Sequence, residues 1–175
     1  MATASRLSLE EFHRLFDGVK PNHEYWFGEA VPKPMPTTLH ALLEFILGTL
    51  LQRCGWQPFI ELTLKLTPDL ELVPDVVATR RKVELPYPTV PVEICVEILS
   101  PDDRLKRVIE KGKRYLEWGV DYIWIINPVE RTAWMVTREY PDGFWIHPDG
   151  KLIAGEDTEI PLTELFAEVD KVLQA

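Results

Sequence analysis

Two acidic residues lie inside apolar runs in the middle of the chain. Asp75 stands in "LVPDVVAT" and Glu97 in "VEICVEILS". A charged side chain is costly to bury unless another group compensates it. A single carboxylate of this kind more often faces solvent. Two of them on adjacent apolar segments favour a polar site instead.

Side chains alternate along a strand, and this alternation indicates which glutamate belongs with Asp75. Glu93 and Glu97 share one face of the strand over 91–99. Four residues at about 3.3 Å each separate them by about 13 Å, too far for both to hold one metal ion. Glu97 is nearer the C-terminal end of the strand, where sites in α/β sheets usually form. It is therefore the predicted partner of Asp75.

A lysine on the following predicted helix is positioned to reach this pair. Lys111 falls just outside the apolar arc of the helix, one turn after Arg107 and in line with Arg104. A lysine beside two metal-binding carboxylates can orient or activate water and stabilise charge on a phosphate. The spacing alone also fits a solvated helix lysine.

The same helix is locally basic in an acidic chain. The net charge of -9 argues against nonspecific coating of nucleic acid, although carboxylates that hold a cation are neutralised by it. The basic residues of the helix are Arg104, Lys106, Arg107, Lys111, Lys113 and Arg114, and "TRRK" at 79–82 adds to them. They suit contact with a phosphate backbone or, equally, a solvated face.

Hydrophobic periodicity predicts the elements that hold these residues. Helices are expected over 8–16, 37–55, 100–119 and 162–173, and strands over 57–66, 71–79, 91–99, 121–127 and 132–139. An aromatic ribbon is expected over 21–36 and a further ribbon around 141–150. Val92–Leu99 and Tyr122–Asn127 should be parallel neighbours joined by the helix. The 175 residues suit one domain, 1–175, of mixed α/β class.

Several of these segments resemble a known family. They are "PD" at 74–75, "VEILS" at 96–100, Lys111 with Tyr115, "YIWIINP" at 122–128, and "HEYWFGE" at 23–29 followed by His40. Together they resemble the bacterial Uma-type family of restriction-endonuclease-like proteins, a branch of the PD-(D/E)XK nuclease superfamily. The resemblance covers about residues 20 to 135.

The resemblance implies a fold and a reaction. The fold would be a restriction-endonuclease-like central mixed β-sheet flanked by helices. Asp75 and Glu97 would bind Mg²⁺ (or Mn²⁺), Lys111 would complete the catalytic set, and DNA phosphodiester bonds would be hydrolysed. Glu24 would be a supporting carboxylate, and His40 would hydrogen-bond it or touch phosphate.

Two residues depart from the pattern of the superfamily. Its usual lysine lies two residues after the second carboxylate, where this chain has Leu99, so Lys111 would be a lysine supplied from the helix. Arg107 stands where relatives often place an acidic residue. With Arg104, it is a candidate substrate contact.

Two functions follow from these features. The first is a metal-dependent endonuclease acting on DNA, and the alternative is a non-catalytic nuclease-fold module for binding or assembly. No apolar stretch approaches the roughly 20 residues of a membrane span, and no signal peptide is evident, so a cytoplasmic protein without a membrane partner is expected. Six tryptophans and the aromatic ribbon suggest a homodimer.

Overall fold

The computed structural model describes residues 6–101 and 103–174. Within them the chain forms four helices and twelve strands. The helices are α1 (Leu9–Phe16), α2 (Thr38–Arg53), α3 (Leu105–Trp118) and α4 (Leu162–Leu173). The strands are β1 (His23–Trp26), β2 (Glu29–Pro32), β3 (Gln57–Ile60), β4 (Leu64–Thr67), β5 (Leu70–Leu72), β6 (Val76–Thr79), β7 (Ile94–Ile98), β8 (Tyr122–Asn127), β9 (Thr132–Val136), β10 (Phe144–Ile146), β11 (Lys151–Ala154) and β12 (Thr158–Pro161).

A central sheet of six strands has the order β10-β9-β8-β7-β6-β3. Its β7 and β8 are parallel, with Glu97 opposite Ile125, and α3 connects them. The other neighbouring pairs in this sheet are antiparallel. The expected mixed sheet with its strand–helix–strand unit is thus confirmed.

A second sheet has the order β2-β1-β5-β4, and it corrects the predicted strands. The segments 57–66 and 71–79 each divide into two strands that belong to different sheets. The first divides at Glu61, whose φ of 50° is incompatible with an extended strand. The second divides at Pro74, which has no N–H to donate to a ladder. Asp75 therefore lies between β5 and β6, and its predicted position inside one continuous strand is wrong.

The two faces of the central sheet are covered by different helices. Leu47 of α2 and Leu165 of α4 pack in one core cluster with Val96 of β7. Tyr115 of α3 packs in the other cluster with Cys95 of β7. Alternate residues of β7 therefore face opposite layers, as the period of two predicts. This alternation directs Glu97 towards α3.

The starts of two helices bear on the site. Thr37 caps α2 by accepting a hydrogen bond from the backbone N of His40, which holds His40 in the first turn. Asp103 does not cap α3, because the N-cap residue is Arg104, which makes no side-chain cap hydrogen bond. Asp103 accepts a hydrogen bond from the backbone N of Ser100 instead, and Asp102 lies outside the described residues. None of the helices in the described ranges is long and apolar enough to cross a membrane.

Candidate active site

Asp75 is fixed where the two sheets meet. Its backbone N donates to the carbonyl O of Val96 (3.0 Å), and its Oδ2 accepts from the backbone N of Ile98 (2.6 Å). The side chain of Lys33 donates to the other oxygen, Oδ1, at 2.8 Å. Asp75 is only 3% exposed. These bonds hold its carboxylate beside β7, next to Glu97.

Glu97, Lys111 and Glu24 form one buried cluster. The Nζ of Lys111 lies 2.8 Å from Oε1 of Glu97 and 2.6 Å from Oε1 of Glu24. The hydroxyl of Tyr115, one helical turn after Lys111, donates to Oε1 of Glu97 at 2.7 Å. Glu24 also accepts from the backbone N of Val73, which ties β1 to the junction between the sheets. Lys111 thus reaches in from α3 between two carboxylates.

The electrostatics of this cluster favour a charged lysine. Burial lowers the pKa of Lys111, but Glu24 and Glu97 outweigh burial and raise it above its ordinary value. Burial raises the pKa of Glu97 to about 7, against the opposing effect of Lys111. The ammonium group is therefore a permanent positive charge at neutral pH.

Lys33 is a second buried cation, and it was missed from the sequence. It follows β2 in the proline-rich segment "VPKPMP" at 31–36. Its Nζ donates to Oδ1 of Asp75 and to the carbonyl O of Val73, both at 2.8 Å. Burial lowers the pKa of Lys33, but the Asp75 carboxylate raises it above its ordinary value. The available signal was a lone lysine among prolines, and this signal does not predict which carboxylate the lysine contacts.

His40 and Glu44 complete the surroundings of Asp75. They lie four residues apart on α2 and so share one helix face. The Nε2 of His40 lies 3.4 Å from Oδ1 of Asp75 and 3.5 Å from Oε1 of Glu44. Burial lowers the pKa of His40, but the nearby carboxylates of Asp75 and Glu44 outweigh burial and raise it to about 9. Glu44 was also missed, although a glutamate within the apolar "HALLEFILG" was a signal.

These side chains suit a divalent cation. Ligand atoms of His40, Glu44 and Asp75 lie within 4.8 Å of one another, and all three residues are buried. Among the described residues, Oε1 of Glu44 has no hydrogen-bond partner, which is a costly arrangement for a buried carboxylate. Two carboxylates are the oxygen donors that Mg²⁺ and Mn²⁺ take. Glu97, the other predicted ligand, is already engaged by Lys111 and Tyr115.

The cluster opens on a cleft of about 270 Å³. Six of the residues singled out in the sequence line it, namely Glu24, His40, Asp75, Glu97, Arg107 and Lys111. Lys33 lines it as well. Arg104, the remaining candidate, is exposed just before the first residue of α3 and is not among the described residues that line the cleft.

Comparisons with known proteins agree with this architecture. The chain is similar in structure to a protein from Anabaena variabilis described as a putative nuclease belonging to DUF820, with a TM-score of 0.76 and 23% sequence identity. The match covers 93% of this chain and 99% of that one, which confirms the fold. No curated protein matches the chain in sequence. The model of the Uma2 family, described as "Putative restriction endonuclease", matches residues 9–170, and the chain therefore belongs to that family.

Proposed function

We propose that the protein is a metal-dependent endonuclease that hydrolyses DNA phosphodiester bonds, with Asp75, Glu97 and Lys111 as its catalytic set and Glu24 in support. The observation that carries the proposal is the convergence of these four buried side chains on one cleft. Perturbed ionisable groups that meet in a cleft are typical of catalytic sites. Membership of the family supports the same reaction class.

Asp75 is the proposed anchor for the metal ion. Glu97 is its proposed partner. Glu44 offers a further ligand atom on the α2 side, and His40 offers one after it loses its proton. When bound, Mg²⁺ or Mn²⁺ supplies Lewis acidity to a phosphoryl oxygen and lowers the pKa of water. The hydrogen bond from Ile98 N to Oδ2 of Asp75 keeps its carboxylate oriented before any ligand arrives.

Lys111 has an electrostatic role in this proposal. Because its pKa is raised, its ammonium group does not give up a proton near neutral pH and is unsuited to act as a base. Its fixed positive charge instead stabilises the negative charge that develops on the phosphate oxygens. The Oε1 atom of Glu24 lies 2.6 Å from Nζ of Lys111 and holds the ammonium group in position.

Contacts to DNA are proposed at the rim of the cleft. Arg107 lines the cleft, and Arg104 lies one turn earlier along the chain on an exposed surface. A guanidinium group binds phosphate through two parallel hydrogen bonds and so positions a nucleic-acid backbone. His40 is a further candidate for phosphate contact.

Plasmid cleavage tests this proposal. Purified protein with Mg²⁺ or Mn²⁺ should nick or linearise supercoiled DNA, and Asp75→Asn or Glu97→Gln should abolish the activity. Glu93→Gln is the matched control, since Glu93 lies just before β7, four residues from Glu97, but is not among the described residues that line the cleft. Cleavage that survives Asp75→Asn together with Glu97→Gln would rule out this site.

One observation favours a second candidate, a non-catalytic module for binding or assembly. Lys33 and Lys111 already pair with Asp75 and Glu97, so these two carboxylates have counter-ions without a metal ion. Calorimetric titration with Mn²⁺ and Mg²⁺ distinguishes the two candidates. Uptake of one cation, lost in Asp75→Asn, supports the nuclease, whereas the absence of uptake supports the module.

A further inference from the structure

One oxygen of Asp75, Oδ1, is a candidate metal ligand and also the acceptor of a hydrogen bond from a lysine. The Asp75 carboxylate belongs to the group of ligand atoms that suits a cation, and Oδ1 is the oxygen that lies 3.4 Å from Nε2 of His40. The same Oδ1 already accepts a hydrogen bond from Nζ of Lys33 at 2.8 Å. Oδ2 is held by the backbone N of Ile98. A metal ion that binds through Oδ1 would therefore have to share it with an ammonium group.

We infer that Lys33 is a built-in counter-ion of Asp75, and that a divalent cation binds by displacing its ammonium group from Oδ1. The inference rests on the proposed metal site and adds a positioning residue to it. Without a metal ion, Lys33 supplies the positive charge that the buried Asp75 requires. With a metal ion bound, that charge is redundant, and repulsion between the two cations drives Lys33 away.

Lys33 has other acceptors that it keeps after leaving Asp75. Its Nζ lies 2.8 Å from the carbonyl O of Val73 and 3.8 Å from Oε1 of Glu61. A short movement toward these two oxygens therefore leaves the ammonium group paired. The exchange needs no unfolding of the segment that carries Lys33.

The displaced ammonium group remains in the cleft. The Nζ atoms of Lys33 and Lys111 both approach the carbonyl O of Val73, at 2.8 and 3.5 Å. Both lysines line the cleft. Displacement of Lys33 from Asp75 therefore keeps a second positive charge in the cleft, beside that of Lys111 and within reach of a phosphate group.

The test is the affinity of the full-length protein for Mn²⁺, measured by calorimetry. Lys33→Gln keeps a hydrogen-bond donor near Asp75 but removes the competing charge. It should bind Mn²⁺ at least ten-fold more tightly than the wild-type protein, and Mn²⁺ should raise its Tm by a larger amount. Lys33→Arg keeps the charge and should bind Mn²⁺ no more tightly than the wild-type protein.

Lys65→Gln is the matched control. Lys65 also neutralises a buried carboxylate, with its Nζ 3.1 Å from Oε1 of Glu71, but it is not among the described residues that line the cleft. Its variant should lose stability without a change of more than about two-fold in Mn²⁺ affinity. A purely structural role for Lys33 predicts the same behaviour for Lys33→Gln.

The outcomes separate this inference from the proposed function. If the wild-type protein binds Mn²⁺ and Lys33→Gln binds it equally or less tightly, the counter-ion role is overturned while the metal site stands. If neither protein binds Mn²⁺, the metal site itself is wrong and the counter-ion role is overturned with it.

Discussion

Individual residues of the cluster combine a proposed catalytic role with a role in stability. Lys111 lies between Glu24 and Glu97 with its side chain only 11% exposed. Removing one partner of a buried ion pair leaves the other charge uncompensated, which costs far more than the loss of an exposed pair. The free energy of unfolding should therefore report on this site directly.

Lys111→Met should lower the free energy of unfolding by about 3–5 kcal/mol and abolish DNA cleavage, because two buried carboxylates lose their shared cation. Urea denaturation and plasmid nicking measure the two effects. Lys113→Met, two residues along the same helix, is the control and should change stability by no more than about 0.5 kcal/mol. Equal stabilities for the two variants would contradict the buried ion pairs of Lys111 with Glu24 and Glu97.

Tyr115→Phe should preserve the fold and lower the free energy of unfolding by about 1 kcal/mol, since it deletes one hydrogen bond to Oε1 of Glu97. Cleavage should fall only partly, because Lys111 still orients the glutamate. Thermal unfolding and kcat for nicking check both effects. A complete loss of activity with unchanged stability would instead assign the hydroxyl a direct part in the reaction.

The lowered pKa of Asp75 predicts that the free energy of unfolding depends on pH. Burial raises its pKa, but Lys33 and His40 outweigh burial and hold it well below the ordinary 3.8. A lowered pKa in the folded state stabilises the protein above pH 3.8, and this contribution is lost as the pH falls further. The difference in unfolding free energy between wild-type protein and Asp75→Asn should therefore be largest near pH 7 and shrink below about pH 4. A difference that does not change with pH would contradict the ion pairs.

At the scale of elements, periodicity predicted much of the site. A strand period of two directed Glu97 to the α3 side, and a period of 3.6 set Lys111 beside the apolar arc of α3. The break between β5 and β6 was missed because the apolar residues on both sides of Pro74 continue one strand pattern, although Pro74 itself was a signal for the break. Lys33 was missed for a different reason. It lies 42 residues from Asp75 in sequence, and no local pattern links residues at that distance.

Because α3 packs closely against the central sheet, a change in its packing should move Lys111. A Cβ at Gly112 would lie 3.3 Å from a side-chain carbon of Ile123 on β8, so the helix contacts the sheet closely there. Gly112→Leu should cost about 1–3 kcal/mol by overpacking and should displace the neighbouring Lys111. Chemical denaturation and cleavage assays should both show losses. Retained cleavage would mean that the position of Lys111 tolerates movement of the helix.

The whole molecule is acidic, with a net charge of -9, and its cleft is lined by three basic residues, Lys33, Arg107 and Lys111, among five acidic ones. Such a molecule should contact few phosphates. The logarithm of DNA affinity should therefore fall with the logarithm of salt concentration with a slope of only about -2 to -3, as expected for two to three phosphate contacts. Fluorescence anisotropy of labelled duplex DNA across a salt series measures the slope.

The homodimer stays a prediction, and sedimentation velocity of the purified protein tests it.

The site lies across the seam between the two sheets, and this has a consequence for how the sequence can change over generations. Glu24 and Lys33 come from the β1–β2 side, Glu97 comes from the central sheet, and Asp75 sits at the crossing. The ion pairs that join them therefore hold the second sheet to the first. A mutation that removes one of these charges therefore also weakens the contact between the two sheets. Selection for a stable fold should accordingly preserve the cluster even where the proposed cleavage is not itself under selection.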